Sequence, residues 1–180
     1  MRRHGGFSIT ELMVVVAIVA ILLGIGAPSY RYITNSYRMS AEVNGLLGDL
    51  QYARAEAIRE GQYVTACVSN DGVSCTGDTD WAKGWIVFSD PNNNQTVTAG
   101  VLRVQGAFTG TTPDTFIADG NVSAVTYNRE GFATTAAGIV GTTLTLHDST
   151  ANSAWSRCLV ITGVGLMTTQ THVSNPGTCT

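Results

Sequence analysis

The stretch Gly6-Phe7-Ser8-Ile9-Thr10-Glu11-Leu12-Met13-Val14-Val15 opens the apolar run that decides the fold of this 180-residue chain. The run continues without any charge from Leu12 to Tyr30. As a helix that rises about 1.5 Å per residue, it would cover roughly 28 Å, which is close to the thickness of a bilayer core. The sequence therefore predicts one membrane-spanning helix near the N-terminus.

The residues that flank this run indicate its orientation. Arg2 and Arg3 precede it, and basic residues tend to stay on the cytoplasmic side, so we expect the rest of the chain to face an oxidising space. A secretory signal peptide would look similar, with small residues near Ala27 where a peptidase could cut. Two features argue against a signal peptide: Glu11 stands at the head of the run, and the run continues into helix-forming sequence.

Glu11 itself has two interpretations. An ionisable group at the membrane end of a spanning helix is costly, and by default it is functional and needs a partner. Alternatively, its carboxylate simply reaches the lipid headgroups.

A second helical pattern follows Pro28 and ends near Gly61. Apolar residues recur at helical spacing at Val43, Leu46, Leu47, Leu50, Ala53, Ala57 and Ile58, with charged residues mostly between them. Because Gly24, Gly26 and Pro28 separate the two patterns, we predict one long helix with a bend or a locally melted turn at that point.

Short strand-like runs fill the chain from Gln62 onward. They are Tyr63–Val68, Trp85–Phe88, Val101–Val104, Val122–Tyr127, Thr142–Leu146, Cys158–Thr162 and Leu166–Thr171, separated by residues rich in Gly, Asn and Asp. One helix followed by antiparallel strands predicts the α+β class. Charged residues make up 13% of the chain and the formal charge is −3, which argues against intrinsic disorder and against bulk electrostatic DNA binding.

The opening stretch resembles the class III signal of type IV pilins and type II secretion pseudopilins. In that family a prepilin peptidase cuts after a glycine, here Gly6, and the new N-terminus, here Phe7, is N-methylated. The resemblance implies that the carboxylate of Glu11 attracts the terminal amine of a neighbouring subunit. Removal of Arg2 and Arg3 would leave 10 − 2 = 8 basic against 13 acidic side chains, a formal charge of −5.

Later motifs resemble the FimT/FimU group of minor pilins and the related pseudopilin GspH. They are Ala53-Arg54-Ala55-Glu56-Ala57-Ile58-Arg59, Gly84-Trp85-Ile86-Val87-Phe88-Ser89-Asp90, Tyr127-Asn128-Arg129-Glu130-Gly131 and Arg157-Cys158-Leu159-Val160-Ile161. The resemblance implies a pilin fold, in which a long N-terminal helix packs on an antiparallel sheet domain. It divides the chain into a leader (1–6), a transmembrane and assembly helix (7–30), an amphipathic helix (31–61) and a β-rich periplasmic domain (62–180).

The resemblance also implies a function without catalysis or cofactor. The chain would be a minor pilin, first held in the bacterial inner membrane by a single span and then placed in the pilus fibre or its tip. Its partners would be other minor pilins, the major pilin, the prepilin peptidase and the inner-membrane assembly platform. A GspH-like pseudopilin of a type II secretion system is the alternative within the same superfamily.

The four cysteines allow three disulfide connectivities. We favour Cys67 with Cys75 and Cys158 with Cys179, because local loops close most readily and the second bridge would hold the tail. The cysteine spacing does not match usual zinc sites. Asp90-Pro91-Asn92-Asn93-Asn94-Gln95 begins like a calcium loop but lacks its glycine and its bidentate glutamate, so we predict a turn and no metal.

Enzymatic and nucleic-acid functions find little support. His4, His147 and His172 accompany no hydrolase, metalloprotease or phosphate-loop motif. DNA-binding members of the FimT type carry a Gly-Arg-x-Arg element near the C-terminus, whereas this chain has Gly163-Val164-Gly165-Leu166 at the corresponding place. Since basic side chains supply most non-specific DNA affinity, we expect nucleic-acid binding to be weak.

Overall fold

The computed structural model describes residues 6, 8–109, 114–135, 141–175 and 179. The chain divides into two compact units, residues 1–38 and 39–180. A single helix, α1 (Ile9–Glu60), contributes residues to both units.

The part of α1 in the first unit confirms the apolar helix. Helical backbone continues without interruption through Gly24, Gly26 and Pro28, so the locally melted turn is not formed. An unbroken helix satisfies its own backbone groups apart from the Gly24 carbonyl oxygen, because Pro28 has no N–H to donate to it. A bilayer favours such a helix over a melted turn, because it offers exposed backbone groups no water. That requirement outweighs the helix-breaking tendency of the sequence here.

In the second unit α1 buries one face against the β domain. Its buried positions are Met39, Val43, Leu46, Leu50, Ala53 and Ala57, with Leu47 partly buried. The spacing predicts Ile58 on this face, but its side chain is 52% exposed. Successive residues point about 100° apart on a helix, so Ile58 points away from the face on which its neighbour Ala57 is buried. The helix stops at Gly61, whose φ of 69° suits a helix C-terminus.

The described part of the β domain contains nine strands. They are β1 (Val64–Val68), β2 (Gly84–Ser89), β3 (Val101–Gly106), β4 (Thr115–Ala118), β5 (Ala124–Tyr127), β6 (Ala133–Thr135), β7 (Gly141–His147), β8 (Arg157–Thr162) and β9 (Met167–Thr171), with short 3-10 helices at Trp81–Lys83 and Asp119–Asn121. The seven predicted strands are all present with small shifts at their ends. β4 and β6 are not predicted from the sequence, because they are short.

The strands form two sheets. One has the order β3-β2-β1-β5-β6 and the other β4-β7-β8-β9, and every pair within them is antiparallel. The main core joins the buried face of α1 to both sheets through Trp81, Trp85, Phe116, Tyr127 and Leu144. β1 and β2 are buried along their whole length, because a second apolar cluster around Ile86 and Phe88 covers the opposite face of their sheet.

Candidate assembly sites

The first candidate site is the N-terminal part of α1. Residues Ile9–Gly26 form a helix of mean hydropathy 2.6 with none of its residues buried, long and apolar enough to cross a membrane. Glu11 is the only ionisable residue in this segment. Such a surface has no partner within the described residues of the chain itself, so it suits burial in lipid or against other apolar helices.

Glu11 lies in the first turn of α1. The helix begins where the Leu12 backbone N–H donates to the Ser8 carbonyl oxygen over 3.1 Å, and the Ser8 and Thr10 hydroxyls hydrogen-bond each other at 2.7 Å. Free N–H groups and the helix dipole both favour a carboxylate at this end. Gly6 is described and exposed, whereas Phe7 lies outside the described residues.

A polar network fixes α1 to the edge of the five-stranded sheet. Asp49 accepts a hydrogen bond from the Trp85 indole at 2.9 Å and forms an ion pair with Arg103 at 2.8 Å. The Arg103 guanidinium also lies 3.9 Å from the centre of the Tyr52 ring. Trp85 packs edge-on against Phe108 with ring centres 5.9 Å apart. Trp85 lies in the core, as the sequence predicts. The Asp49 carboxylate of α1 thus bonds one side chain of β2 and one of β3.

A second connection joins α1 to two β turns. The Arg54 guanidinium donates from Nε to the Gly131 carbonyl oxygen at 3.0 Å and from Nη2 to the Val164 carbonyl oxygen at 3.2 Å. Gly131 lies in the β5–β6 turn and Gly165 in the β8–β9 turn, with φ values of 81° and 77°. The sequence predicts no role for Arg54 beyond its place in a motif, because both of its acceptors are backbone carbonyl groups of distant residues.

Replacement of Gly165 by alanine is expected to lower the free energy of unfolding by about 1–3 kcal/mol. A β-carbon at this position would lie 2.1 Å from the Gly131 carbonyl oxygen, and the positive φ would strain any L side chain. Denaturant unfolding of the purified chain measures the change. Gly48→Ala is the matched control, because Gly48 is an exposed helical residue with open space beside it, and alanine there should stabilise the chain by up to about 1 kcal/mol. Equal stability of both variants would contradict this assignment.

The remaining residues considered at the sequence level have structural contacts. Asp90 accepts hydrogen bonds from the Thr65 hydroxyl and from the backbone N–H groups of Asn94 and Gln95, so the predicted turn is present and its carboxylate holds the loop. His147 bonds the buried Ser156 hydroxyl, and His172 bonds the Cys179 carbonyl. Within the described residues no group of three His, Cys, Asp or Glu side chains could hold a metal ion.

Two disulfides stabilise the β domain. Cys67 bonds Cys75 and Cys158 bonds Cys179, the two pairs that loop closure favours. The first bridge packs beside the apolar cluster on the outer face of β1 and β2, and the second attaches the tail to β8.

Removal of either disulfide by a pair of Cys→Ala substitutions is expected to lower the free energy of unfolding by about 2–4 kcal/mol. The Cys158–Cys179 bridge should have the larger effect, because it closes a loop with a sequence separation of 21 against 8. Denaturant unfolding under non-reducing conditions compares the two variants with the unaltered chain. Unchanged stability on loss of the longer bridge would show that this account of the tail is wrong.

Comparison with known proteins agrees with this geometry. The profile of the family described as type II transport protein GspH matches residues 42–165, and that of the prokaryotic N-terminal methylation motif matches residues 1–27. Two crystal structures of the type IV minor pilin FimU from Pseudomonas aeruginosa strain PAO1 share the fold. One is 21% identical with a TM-score of 0.62 and covers 82% of this chain and 99% of that chain. The other is 22% identical with a TM-score of 0.56, covering 80% and 99%. No curated protein sequence matches the chain.

An apolar N-terminal helix with a methylation motif, followed by an antiparallel β domain, defines a type IV pilin-like protein. Because the GspH profile matches more than half of its residues, the chain belongs to the GspH family. The predicted resemblance and fold class are therefore confirmed. Its apolar helix and motif fit a membrane-anchored pilin that later enters a pilus or pseudopilus with other pilins.

Proposed function

We propose that the chain is a minor pilin that joins the tip complex of a type IV pilus. It is first anchored in the inner membrane by residues 7–30, with residues 62–180 in the periplasm, and then enters the fibre through helix packing. The observation that carries this proposal is the apolar helix Ile9–Gly26, none of whose residues is buried. Its one carboxylate, on Glu11, stands at the end where a neighbouring subunit's terminal amine would meet it.

The proposal gives each N-terminal residue a role. The prepilin peptidase cuts after Gly6, Phe7 carries the methylated amine, and Glu11 accepts the amine of the adjacent subunit. The apolar residues from Leu12 to Ala27 pack in the fibre core. Because these surroundings are apolar, the Glu11 carboxylate and the amine each need the other as a partner. The chain thus acts by assembly and not by catalysis.

The two alternative functions are a pseudopilin role and DNA uptake. A pseudopilin role is favoured by the family description, which names a type II transport protein. DNA uptake is disfavoured by the β8–β9 turn, which exposes Val164 and Leu166 in place of arginines.

The test is mild crosslinking of the membrane-embedded full chain in its host, followed by co-purification and mass spectrometry of the partners. We expect the major pilin and other minor pilins to be recovered with it. Recovery of secretion-system subunits instead would overturn the pilus assignment and support the pseudopilin. Salt-dependent DNA binding by the full chain at physiological ionic strength would support the uptake function.

A further inference from the structure

An open groove of about 320 Å³ lies beside the C-terminal end of α1. The helix supplies Gln51, Arg54, Ala55 and Ile58, and the β8–β9 hairpin supplies Gly165, Leu166 and Met167. We refer to this feature as the Arg54 groove. All of its lining residues belong to the second unit.

Large apolar side chains are exposed in the Arg54 groove and on the turns next to it. Ile58 (52% exposed) and Leu166 (57%) line the groove, Val164 (60%) lies in the same β8–β9 turn as Leu166, and Phe132 (48%) follows Gly131 in the β5–β6 turn. They come from three elements that are held together, because Arg54 bonds both turns and the Ala133 N–H donates to the Gly163 carbonyl oxygen at 2.9 Å. Single exposed apolar residues are ordinary on a protein surface, but several of them on adjacent elements that are bonded to one another mark a candidate interaction site.

The guanidinium in this groove differs from other cations of the domain. Arg59, Arg103, Arg129 and Lys83 each pair with a carboxylate. Arg54 bonds only the two backbone carbonyl oxygens, and no carboxylate among the described residues lies within ion-pair distance of it. The groove therefore presents a positive charge, partly removed from water, between apolar walls.

We propose that the Arg54 groove docks an apolar segment of a neighbouring pilin subunit and that a carboxylate on that segment pairs with Arg54. This inference rests on the proposed assembly function and names the surface that the β domain uses in it. The walls would bury the apolar side chains of the partner, and the planar guanidinium favours a carboxylate over other acceptors. A symmetric contact with a second copy is disfavoured, because it would bring two Arg54 guanidinium groups together.

The first experiment compares Val164→Asp with Val73→Asp in the full chain expressed in its host. Val73 is the matched control, because it is also an exposed valine outside helix and strand, 64% exposed, and it lies in the Cys67–Cys75 loop away from the groove-lining residues. The measurement is the fraction of chain in sheared fibres relative to the processed membrane pool. An aspartate at position 164 would both remove apolar surface and offer Arg54 an internal partner. We expect at least a tenfold fall for Val164→Asp and less than a twofold change for Val73→Asp.

The outcomes separate the two proposals. If the unaltered chain never enters fibres, the proposed function is overturned, and the groove proposal that rests on it is overturned as well. If the unaltered chain enters fibres and Val164→Asp enters them equally well, the groove proposal is overturned and the assembly function stands.

The second experiment tests the chemistry of the partner. A photo-reactive amino acid at Leu166 in assembled fibres is crosslinked, and the attached peptide is identified by mass spectrometry. We expect a pilin peptide with Asp or Glu among apolar residues, and a several-fold weaker crosslink when Arg54→Gln removes the charge but keeps an amide donor for the carbonyl oxygens. A peptide without an acidic residue, or an equal crosslink in the Arg54→Gln chain, would overturn the proposal.

Discussion

Replacement of Glu11 by alanine is expected to remove nearly all of the chain from assembled fibres while its processing and membrane insertion continue. In the proposed fibre the Glu11 carboxylate pairs with the terminal amine of a neighbouring subunit inside an apolar helix bundle. Loss of one partner of a buried ion pair costs about 3–5 kcal/mol, because the other charge is left without compensation. That energy corresponds to more than a hundredfold change in an association equilibrium, at about 1.4 kcal/mol for each factor of ten.

Two companion variants make this result specific. Glu11→Asp retains a carboxylate on a shorter side chain and should assemble better than Glu11→Ala, whereas Glu11→Gln retains the shape and should fail. Fibre and membrane fractions are compared by immunoblot, and the mass of the N-terminal peptide reports processing. Normal incorporation of Glu11→Gln would show that the charge of Glu11 has no part in assembly.

Replacement of Trp85 by alanine is expected to lower the free energy of unfolding by about 3–5 kcal/mol. The Trp85 side chain is 1% exposed and is among the largest in the core. Its removal leaves a cavity beside Phe108 and takes away the hydrogen bond to Asp49, which joins α1 to the sheet. A loss of this size is a large part of the stability of an ordinary domain. Denaturant unfolding of the detergent-solubilised chain, followed by circular dichroism, measures it.

Trp85→Phe is the control for this prediction. It keeps an aromatic ring in the core and loses the indole N–H, while Asp49 still pairs with Arg103. The expected cost is therefore smaller than that of the alanine variant, since a single hydrogen bond contributes about 0.5–1.5 kcal/mol. Equal destabilisation by phenylalanine and alanine would mean that the hydrogen bond, and not the packing, holds this part of the core.

Much of the fold could be predicted because its signals are local. The charge-free run after Glu11 and the helical spacing of Val43, Leu46 and Leu50 each predict a helix within a few turns of chain. The division of the strands between two sheets could not be predicted in this way, because it depends on pairings between distant residues such as Ala66 with Val125. β6 also has only three residues, too few to show an alternating pattern.

The same distinction between local signals and contacts of distant residues applies to the candidate sites. Gly6, Phe7 and Glu11 form a compact motif whose meaning depends on adjacent residues, so the sequence indicates the N-terminal site directly. The Arg54 groove depends on the backbone carbonyl groups of Gly131 and Val164, which are 77 and 110 residues away in the chain. Ile58 shows the limit of periodicity, since its spacing placed it on the buried face and the structure exposes it.

The central claim is that the apolar helix is retained after processing and carries the chain into a fibre. Mass spectrometry of the N-terminal peptide from fibre-incorporated protein tests this most directly. We predict a mature chain that begins at an N-methylated Phe7 and retains Glu11 and the residues that follow it. A mature chain that begins near Ala27 would contradict the account, because it would lack the whole of the apolar segment on which assembly depends.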